Sequence, residues 1–127
     1  MENIFNSTEY LFHYRAVIQS VYDGDTVTAD IDLGLGLWKR KEKLRLNRIN
    51  APEVRGGERE LGLLARDFLR GLIDGKEVVV QTIKDKKGKY GRYIADIWIE
   101  QETASGIEML NVSDLIVSKG HAEYREY

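Results

Sequence analysis

The stretch VYDGDTVTADIDL, residues 21–33, decides the fold of this chain. Between residues 27 and 33, apolar side chains alternate with threonine and aspartate, and this period of two is typical of a β-strand with one buried face. Asp-Gly at 23–24 supplies turn chemistry, and the aromatic and β-branched run 10–21 before it predicts a partner strand. We therefore predict a β-hairpin at the start of a mainly β fold.

A third strand is predicted over residues 39–49, after a flexible glycine-containing connection at 34–38. Its alternation places Leu44 and Leu46 on one face and Arg45 on the other. Arg48 could share the face of the two leucines, and we leave that placement open.

Two helices and two further strands follow. From Glu58 a helical stripe runs toward Gly75, whose lack of a side chain suits a helix end. Residues 76–83 and 92–100 predict strands, joined by an exposed loop at 85–91. A second helix is expected to end at Gly120. The stripe residues are Leu61, Leu64, Ala65, Phe68 and Leu72 in the first helix, and Met109, Val112, Leu115 and Ile116 in the second.

This order of elements predicts one domain over residues 1–127 of the α+β class. Five strands, with a helix after strand 3 and a helix at the C-terminal end, match a five-stranded Greek-key barrel of the OB type. Many OB folds bind oligonucleotides, but a fold alone does not establish a function.

Composition limits the kinds of metal site and of binding partner that we expect for this chain. The chain has 127 residues, no cysteine and a net charge of −2, so we expect no thiolate metal ligand and no bulk electrostatic coating of nucleic acid. His13 and His121 are more simply read as structural, which leaves oxygen ligands and a hard cation. No segment approaches the roughly 20 apolar residues of a membrane span, and the N-terminus lacks the form of a secretory signal. We therefore expect a cytoplasmic monomer without a membrane partner.

Three short motifs carry the candidate chemistry. Asp-Gly-Asp-Thr at 23–26 offers two carboxylates to a cation, although alone it is more often a self-bonded turn. The run 45–53 pairs an arginine with Pro-Glu, which could equally be a surface arginine and a surface glutamate. Lys-Tyr-Gly-Arg at 89–92 combines charge, a stacking face and a bidentate phosphate donor, although a solvated basic turn would look the same.

Taken together, the order and spacing of these motifs resemble the thermonuclease (micrococcal nuclease) family, from about Val17 to Gly120. The resemblance implies a nuclease-like OB-fold domain and a Ca²⁺ cofactor. It implies that Asp25, Asn50 and the main-chain carbonyl of Ala51 ligate the ion. Asp23 and Thr26 match outer-shell partners of that ion.

The resemblance also implies the catalytic groups. Glu53 matches the glutamate that orients or deprotonates the attacking water, and Arg45 and Arg92 match two phosphate-clamping arginines. Lys89 and Tyr90 match residues that line the nucleotide pocket. A cation and two guanidinium groups around a phosphodiester would stabilise the charge that builds up during hydrolysis.

Asn50 stands where the family usually has an aspartate, which removes one negative charge from the site and predicts weaker Ca²⁺ binding. Tyr124 and Tyr127 lie roughly where the family uses a base-stacking tyrosine, but the alignment assigns neither, and both could be exposed tail residues. These observations predict a Ca²⁺-dependent endonuclease-type phosphodiesterase that hydrolyses DNA or RNA with little sequence specificity. The alternatives are a weakened or inactive nucleic-acid-binding module of the same fold, and a barrel that binds only protein.

Overall fold

The structure is a computed structural model that describes residues 11–87 and 91–126, and for residues 84–87 the backbone only. The described residues form eight strands, one short 3-10 helix and two α-helices. In chain order these are β1 (His13–Asp23), β2 (Thr26–Gly34), β3 (Leu37–Leu46), β4 (Ile49–Asn50), the 3-10 helix (Gly56–Glu58), α1 (Arg59–Ile73), β5 (Glu77–Lys87), β6 (Tyr93–Thr103), β7 (Gly106–Asn111), α2 (Val112–Ser118) and β8 (Glu123–Tyr124).

Five strands close into a barrel. The main sheet has the order β3-β2-β1-β5-β6-β7, and a parallel pairing of β3 with β6 joins the two ends of the five-strand portion. β7 pairs antiparallel with β6 and extends the sheet beyond the barrel, while β4 and β8 form a separate two-stranded sheet. The prediction of a mainly β, OB-type fold with a helix after strand 3 and a C-terminal helix is confirmed.

The predicted hairpin of β1 and β2 is present and supplies much of the barrel interior. Ile18 pairs with Ala29 and Ala16 with Ile31, and all four side chains are buried. Because successive side chains of a strand point to opposite faces, the alternation of apolar and polar residues predicts which side chains face the barrel interior.

The third strand differs from the prediction at both ends. β3 begins at Leu37, so the connection from β2 is a turn of only Leu35 and Gly36 rather than a flexible segment over 34–38. β3 ends at Leu46 because the chain turns at Asn47–Arg48, where Arg48 takes a φ of +67°. Arg48 is exposed, so it does not share the buried face of Leu44 and Leu46, a placement that the sequence had left open.

α1 packs against the barrel mainly at β1, and the first two of its buried residues are small. Its buried residues are Gly62, Ala65, Leu69 and Ile73, whereas Leu61 and Leu64 are 61% and 57% exposed. The predicted stripe was therefore rotated. A helix that packs closely against a neighbouring backbone presents its smallest residues there, which a hydrophobic pattern cannot show. The helix ends before Gly75 as predicted, and that glycine has a φ of +72°.

The C-terminal third contains elements that the sequence did not reveal. Met109 lies in β7 rather than in a helix, because Thr103 and Gly106 form a tight turn that returns the chain along β6. α2 consequently begins at Val112. β5 continues to Lys87, so part of the loop predicted at 85–91 is strand.

In the part of the chain that the structure describes, neither helix is long and apolar enough to cross a membrane.

Candidate functional site

The acidic turn between β1 and β2 lies beside the end of β3. Thr26 pairs with Arg45 in the β2–β3 register. The backbone N–H of Leu46 donates to the carbonyl oxygen of Asp25 at 2.8 Å. The pairing brings a motif from residues 23–26 and one from residues 45–53 to the same end of the barrel.

Asp25 and Arg45 form a buried ion pair. Nη1 of Arg45 lies 3.1 Å from Oδ2 of Asp25, and the two side chains are 9% and 7% exposed. The guanidinium also donates to the carbonyl oxygen of Ile49 at 3.1 Å and to Oδ1 of Asn50 at 3.3 Å. Arg45 therefore lies between the carboxylate and the amide that the resemblance assigns to a metal.

Both carboxylate oxygens of Asp25 accept further hydrogen bonds. The hydroxyl of Thr26 donates to Oδ1 at 3.1 Å, and the backbone N–H of Ala51 donates to Oδ2 at 2.8 Å. Nη1 of Arg92 in turn donates to the hydroxyl oxygen of Thr26 at 3.1 Å. One hydrogen-bonded network thus joins residues from all three sequence motifs.

Asp23 is the second carboxylate of the acidic turn. Its Oδ1 accepts the backbone N–H of Asp25 at 3.0 Å. The pKa of Asp23 is raised to about 7, mainly by burial and then by hydrogen bonding to Asp25 and the negative charge of Asp25. A carboxyl group with this pKa is only partly ionised at neutral pH, and a cation nearby would favour its ionised form.

Glu53 is placed by its backbone rather than by a contact of its side chain. The side chain is exposed, and the main-chain carbonyl packs against α1 at Gly62. A Cβ at Gly62 would lie 2.1 Å from that carbonyl oxygen. A Cβ at Gly24 would likewise lie 2.8 Å from the Cβ atoms of Ala51 and Ala65. The two glycines let the acidic turn, the Pro-Glu segment and α1 approach one another.

These glycines are positions that the sequence analysis missed. Gly24 was assigned only to turn chemistry, and Gly62 was not noted, since an isolated glycine in a helical pattern has no distinctive local signal. The Asp25–Arg45 pair was also not predicted, although aligning β2 and β3 as antiparallel neighbours would have placed Thr26 opposite Arg45.

Of the four predicted nucleotide-binding or stacking positions, Tyr124 alone lies within the part of the chain that the structure describes. Lys89, Tyr90 and Tyr127 lie outside the described residues. Tyr124 pairs with Ile49 across β4 and β8, and its hydroxyl donates to Asp114 at 2.8 Å. Tyr124 therefore lies next to the segment that carries Asn50.

The donor set suits a hard cation but is sparse. Asp25, Asn50 and Ala51 offer carboxylate, amide and carbonyl oxygens, with Asp23 adjacent, and oxygen ligands are those that Ca²⁺ prefers. Among the described residues, no cluster of three or more histidine, cysteine, aspartate or glutamate side chains is arranged to hold a metal. These residues fit a Ca²⁺ site of low total charge, in which the carboxylate of Asp25 would supply most of the attraction for the ion.

Comparison with known families supports the resemblance. A family model described as staphylococcal nuclease homologue matches residues 43–127. The match includes Arg45, Asn50, Glu53 and Arg92, and it begins after the acidic turn. No curated protein matches the chain.

Proposed function

Because this chain belongs to the staphylococcal nuclease homologue family, we propose that it is a Ca²⁺-dependent phosphodiesterase acting on DNA, RNA or both. One observation carries the proposal furthest. The network Asp25–Arg45–Asn50, extended through Thr26 to Arg92, collects a carboxylate, an amide and two guanidinium groups at one end of the barrel. Anionic and cationic groups held this close suit a site that binds a phosphate through both a cation and arginines.

Asp25, Asn50 and the carbonyl of Ala51 would hold the ion. Asp23 and Thr26 would support them through their hydrogen bonds to Asp25. A divalent cation bound there would supply charge stabilisation to the phosphate oxygens. Asp25 is already oriented for this role, because the N–H of Ala51 and the hydroxyl of Thr26 hold its two oxygens in place.

The protein's own groups would supply the remaining chemistry. Glu53 is exposed and follows Ala51 by two residues in the chain, and its carboxylate would orient a water and accept its proton. Arg45 and Arg92 would donate to the phosphate oxygens as negative charge builds up on them. Arg45 would give up its bond to Asn50 to do so, since a guanidinium fork aimed at a phosphate cannot keep every internal acceptor.

The proposed specificity follows from the kind of contact. All of these groups would act on phosphate or on water, and phosphate contacts carry no base information. We therefore propose cleavage with little sequence preference by a monomeric enzyme. The resemblance implies products that carry 3′-phosphates.

The test is cleavage of single-stranded DNA and of RNA by the purified protein, with Ca²⁺ and then with excess chelator. We expect Ca²⁺ to produce cleavage and the chelator to abolish it. Glu60 offers a matched control, because it is an exposed glutamate on α1 whose substitution by glutamine should leave cleavage unchanged. Absence of chelator-sensitive cleavage on both substrates would remove the proposal.

A second function is favoured by one specific observation. Arg45 already neutralises Asp25 and donates to Asn50, so the chain has an internal cation where the metal would bind. On this alternative the protein is a non-catalytic nucleic-acid-binding module whose binding survives chelation and weakens with added salt.

Asn50→Asp separates the two functions. If the wild-type protein cleaves and the variant needs less Ca²⁺, the enzyme proposal stands. If the wild-type protein is inactive and the variant becomes active, the metal site has decayed and the binding module is the better description.

A further inference from the structure

The β2–β3 turn carries an apolar tip on the surface. Leu33, Leu35, Leu37 and Trp38 are 47%, 99%, 60% and 39% exposed. Most surface leucines are scattered singly and need no explanation, but four apolar side chains within six residues at the end of a hairpin form a contiguous feature.

The backbone at the tip makes this exposure more informative. Leu35 has a φ of +57°, in the left-handed region that glycine and asparagine tolerate and leucine does not favour. Glycine flanks it on both sides, at 34 and 36. A leucine here both strains the backbone and exposes apolar surface, so neither property stabilises the isolated fold. Such a combination indicates a functional contact.

The segment before β1 lies against β5 and not against this tip. β1 pairs with β2 only from Arg15, opposite Asp32, whereas the carbonyl oxygen of Phe12 accepts the backbone N–H of Thr82 in β5 at 3.1 Å. We call Leu33, Leu35, Leu37 and Trp38 the apolar end.

Basic side chains follow the apolar end along β3. Lys39, Arg40 and Lys41 are exposed, and the guanidinium carbon of Arg40 lies 4.6 Å from the centre of the Trp38 ring. Two of these basic residues are ion-paired: Nη1 of Arg40 lies 3.1 Å from Oδ2 of Asp30, and Nζ of Lys39 lies 3.7 Å from Oε2 of Glu42. Both basic side chains nevertheless remain 61% exposed. A tryptophan between an apolar tip and basic residues is the arrangement of a segment that sits at a membrane–water interface.

The apolar end and the candidate active site lie at opposite ends of the same strands. β1 starts at His13 beside the apolar end and finishes at Asp23 in the acidic turn. Eleven residues of strand separate the two by roughly 30 Å at about 3.3 Å per residue. A surface bound at the apolar end would therefore not contact the acidic turn.

We propose that the apolar end binds the surface of an anionic lipid bilayer, with Leu35 in the headgroup region and the basic residues against the lipid phosphates. The three leucines of the apolar end lack the flat face that stacks on bases, and Arg40 lies over one face of the Trp38 ring, which disfavours nucleic acid as the occupant. A protruding tip suits a deformable medium better than a preformed protein groove. This proposal departs from the expectation of no membrane partner. That expectation rested on the lack of a segment long enough to span a bilayer, and a tip that reaches only the headgroups needs no such segment. The proposal does not depend on nuclease activity.

Cosedimentation tests the proposal, using vesicles of phosphatidylcholine alone or mixed with phosphatidylglycerol. We expect the wild-type protein to bind the anionic vesicles, and to bind them less with added salt. Leu35→Asn should lower the vesicle partition coefficient about tenfold, since one leucine side chain leaves the bilayer. Because asparagine tolerates a positive φ, this variant should fold at least as stably as the wild type. Leu61→Asn removes a leucine of α1 that is 61% exposed and serves as the control.

Three results would overturn the proposal. The first is that the wild-type protein stays in the supernatant with anionic vesicles. The second is that Leu35→Asn binds these vesicles no differently from Leu61→Asn. The third is that the wild-type protein self-associates in sedimentation velocity without lipid and Leu35→Asn does not, because the apolar end would then be an interface between copies of the chain.

Discussion

At the scale of single residues, the charge of Asp25 is balanced by a guanidinium from the neighbouring strand. The carboxylate is almost fully enclosed, with Arg45 at 3.1 Å. A buried ion pair contributes little relative to apolar residues, but removing one partner strands the other charge in a place with little water. The stability of the fold therefore depends on the same two groups that we propose for metal binding and catalysis.

Arg45→Ala should destabilise the fold by about 3 kcal/mol, because Asp25 would keep its charge without the guanidinium. The free energy of unfolding in chelator measures this loss. Added Ca²⁺ should restore part of it if the ion binds at Asp25. Arg66→Ala breaks the Arg66–Asp67 pair, whose aspartate is 60% exposed, and should cost less than 1 kcal/mol. Equal losses for the two variants would contradict the prediction.

Glu53→Gln should reduce cleavage about a hundredfold or more, since glutamine cannot accept the proton of the attacking water. The side chain is exposed, so the midpoint of thermal unfolding should not change. Steady-state rates at saturating Ca²⁺ give the comparison with Glu60→Gln. Retention of the full rate by Glu53→Gln would assign proton transfer to another group.

At the scale of elements, glycines set the distance between α1 and the site. Gly62→Ala should destabilise the protein by about 1–3 kcal/mol, because the new Cβ would overlap the carbonyl of Glu53 and force the helix or the Pro-Glu segment to move. Cleavage should fall as well, since Glu53 would be displaced. Urea unfolding and rate measurements check the two effects.

Gly71 provides the control in the same helix. A Cβ there meets nothing within 4 Å, so Gly71→Ala should stabilise the protein by about 0.5–1 kcal/mol through the higher helix propensity of alanine. If the two substitutions had the same sign, close packing at Gly62 would not be the cause.

The bulge in β3 gives a prediction about pH. Asp30 accepts the backbone N–H of Lys41, which has a φ of +55°, and this bond, together with Arg40, lowers the pKa of Asp30 below its usual 3.8. A lowered folded-state pKa stabilises the fold at pH values above 3.8 and loses that contribution as the pH falls below it. Asp30→Asn should therefore unfold at a lower temperature than the wild type at neutral pH. The difference should shrink in acid, and a constant difference across pH would show that charge is not involved.

At the scale of the whole molecule, the C-terminal segment supports the site from outside the barrel. β8 pairs with β4, so Glu123 lies opposite Asn50. The backbone N–H of Arg125 donates to the carbonyl of Arg48 at 2.7 Å. Asp114 of α2 accepts hydrogen bonds from both Arg48 and Tyr124, at 3.0 and 2.8 Å.

Asp114→Ala should therefore raise the Ca²⁺ concentration needed for half-maximal cleavage roughly fivefold, equivalent to about 1 kcal/mol for lost hydrogen bonds. The maximal rate and the unfolding midpoint should change little, because these side chains are largely exposed. Asp67→Ala, which removes an exposed aspartate paired with Arg66, is the matched control. An unchanged Ca²⁺ requirement in Asp114→Ala would show that β4 holds Asn50 without this support.

The predictions that rest on neighbouring residues succeeded, and those that depend on long-range packing did not. The β1–β2 hairpin and the end of α1 at Gly75 depend on local properties, namely alternation and backbone freedom, and both were predicted correctly. The inward stripe of α1 was wrong at Leu61 and Leu64, because close packing at Gly62 and Ala65 decides which face is buried. Met109 was wrong because a turn at 103–106 redirects the chain.

The sequence by itself determined the strand alternation, the turn chemistry and the identity of the acidic and basic groups, since each is a property of neighbouring residues. Only the tertiary structure decided that Arg45 lies against Asp25 and Asn50, and that the apolar end lies across the barrel from them. Strand register and helix packing set these distances, and both depend on which surfaces far apart in the chain exclude water together.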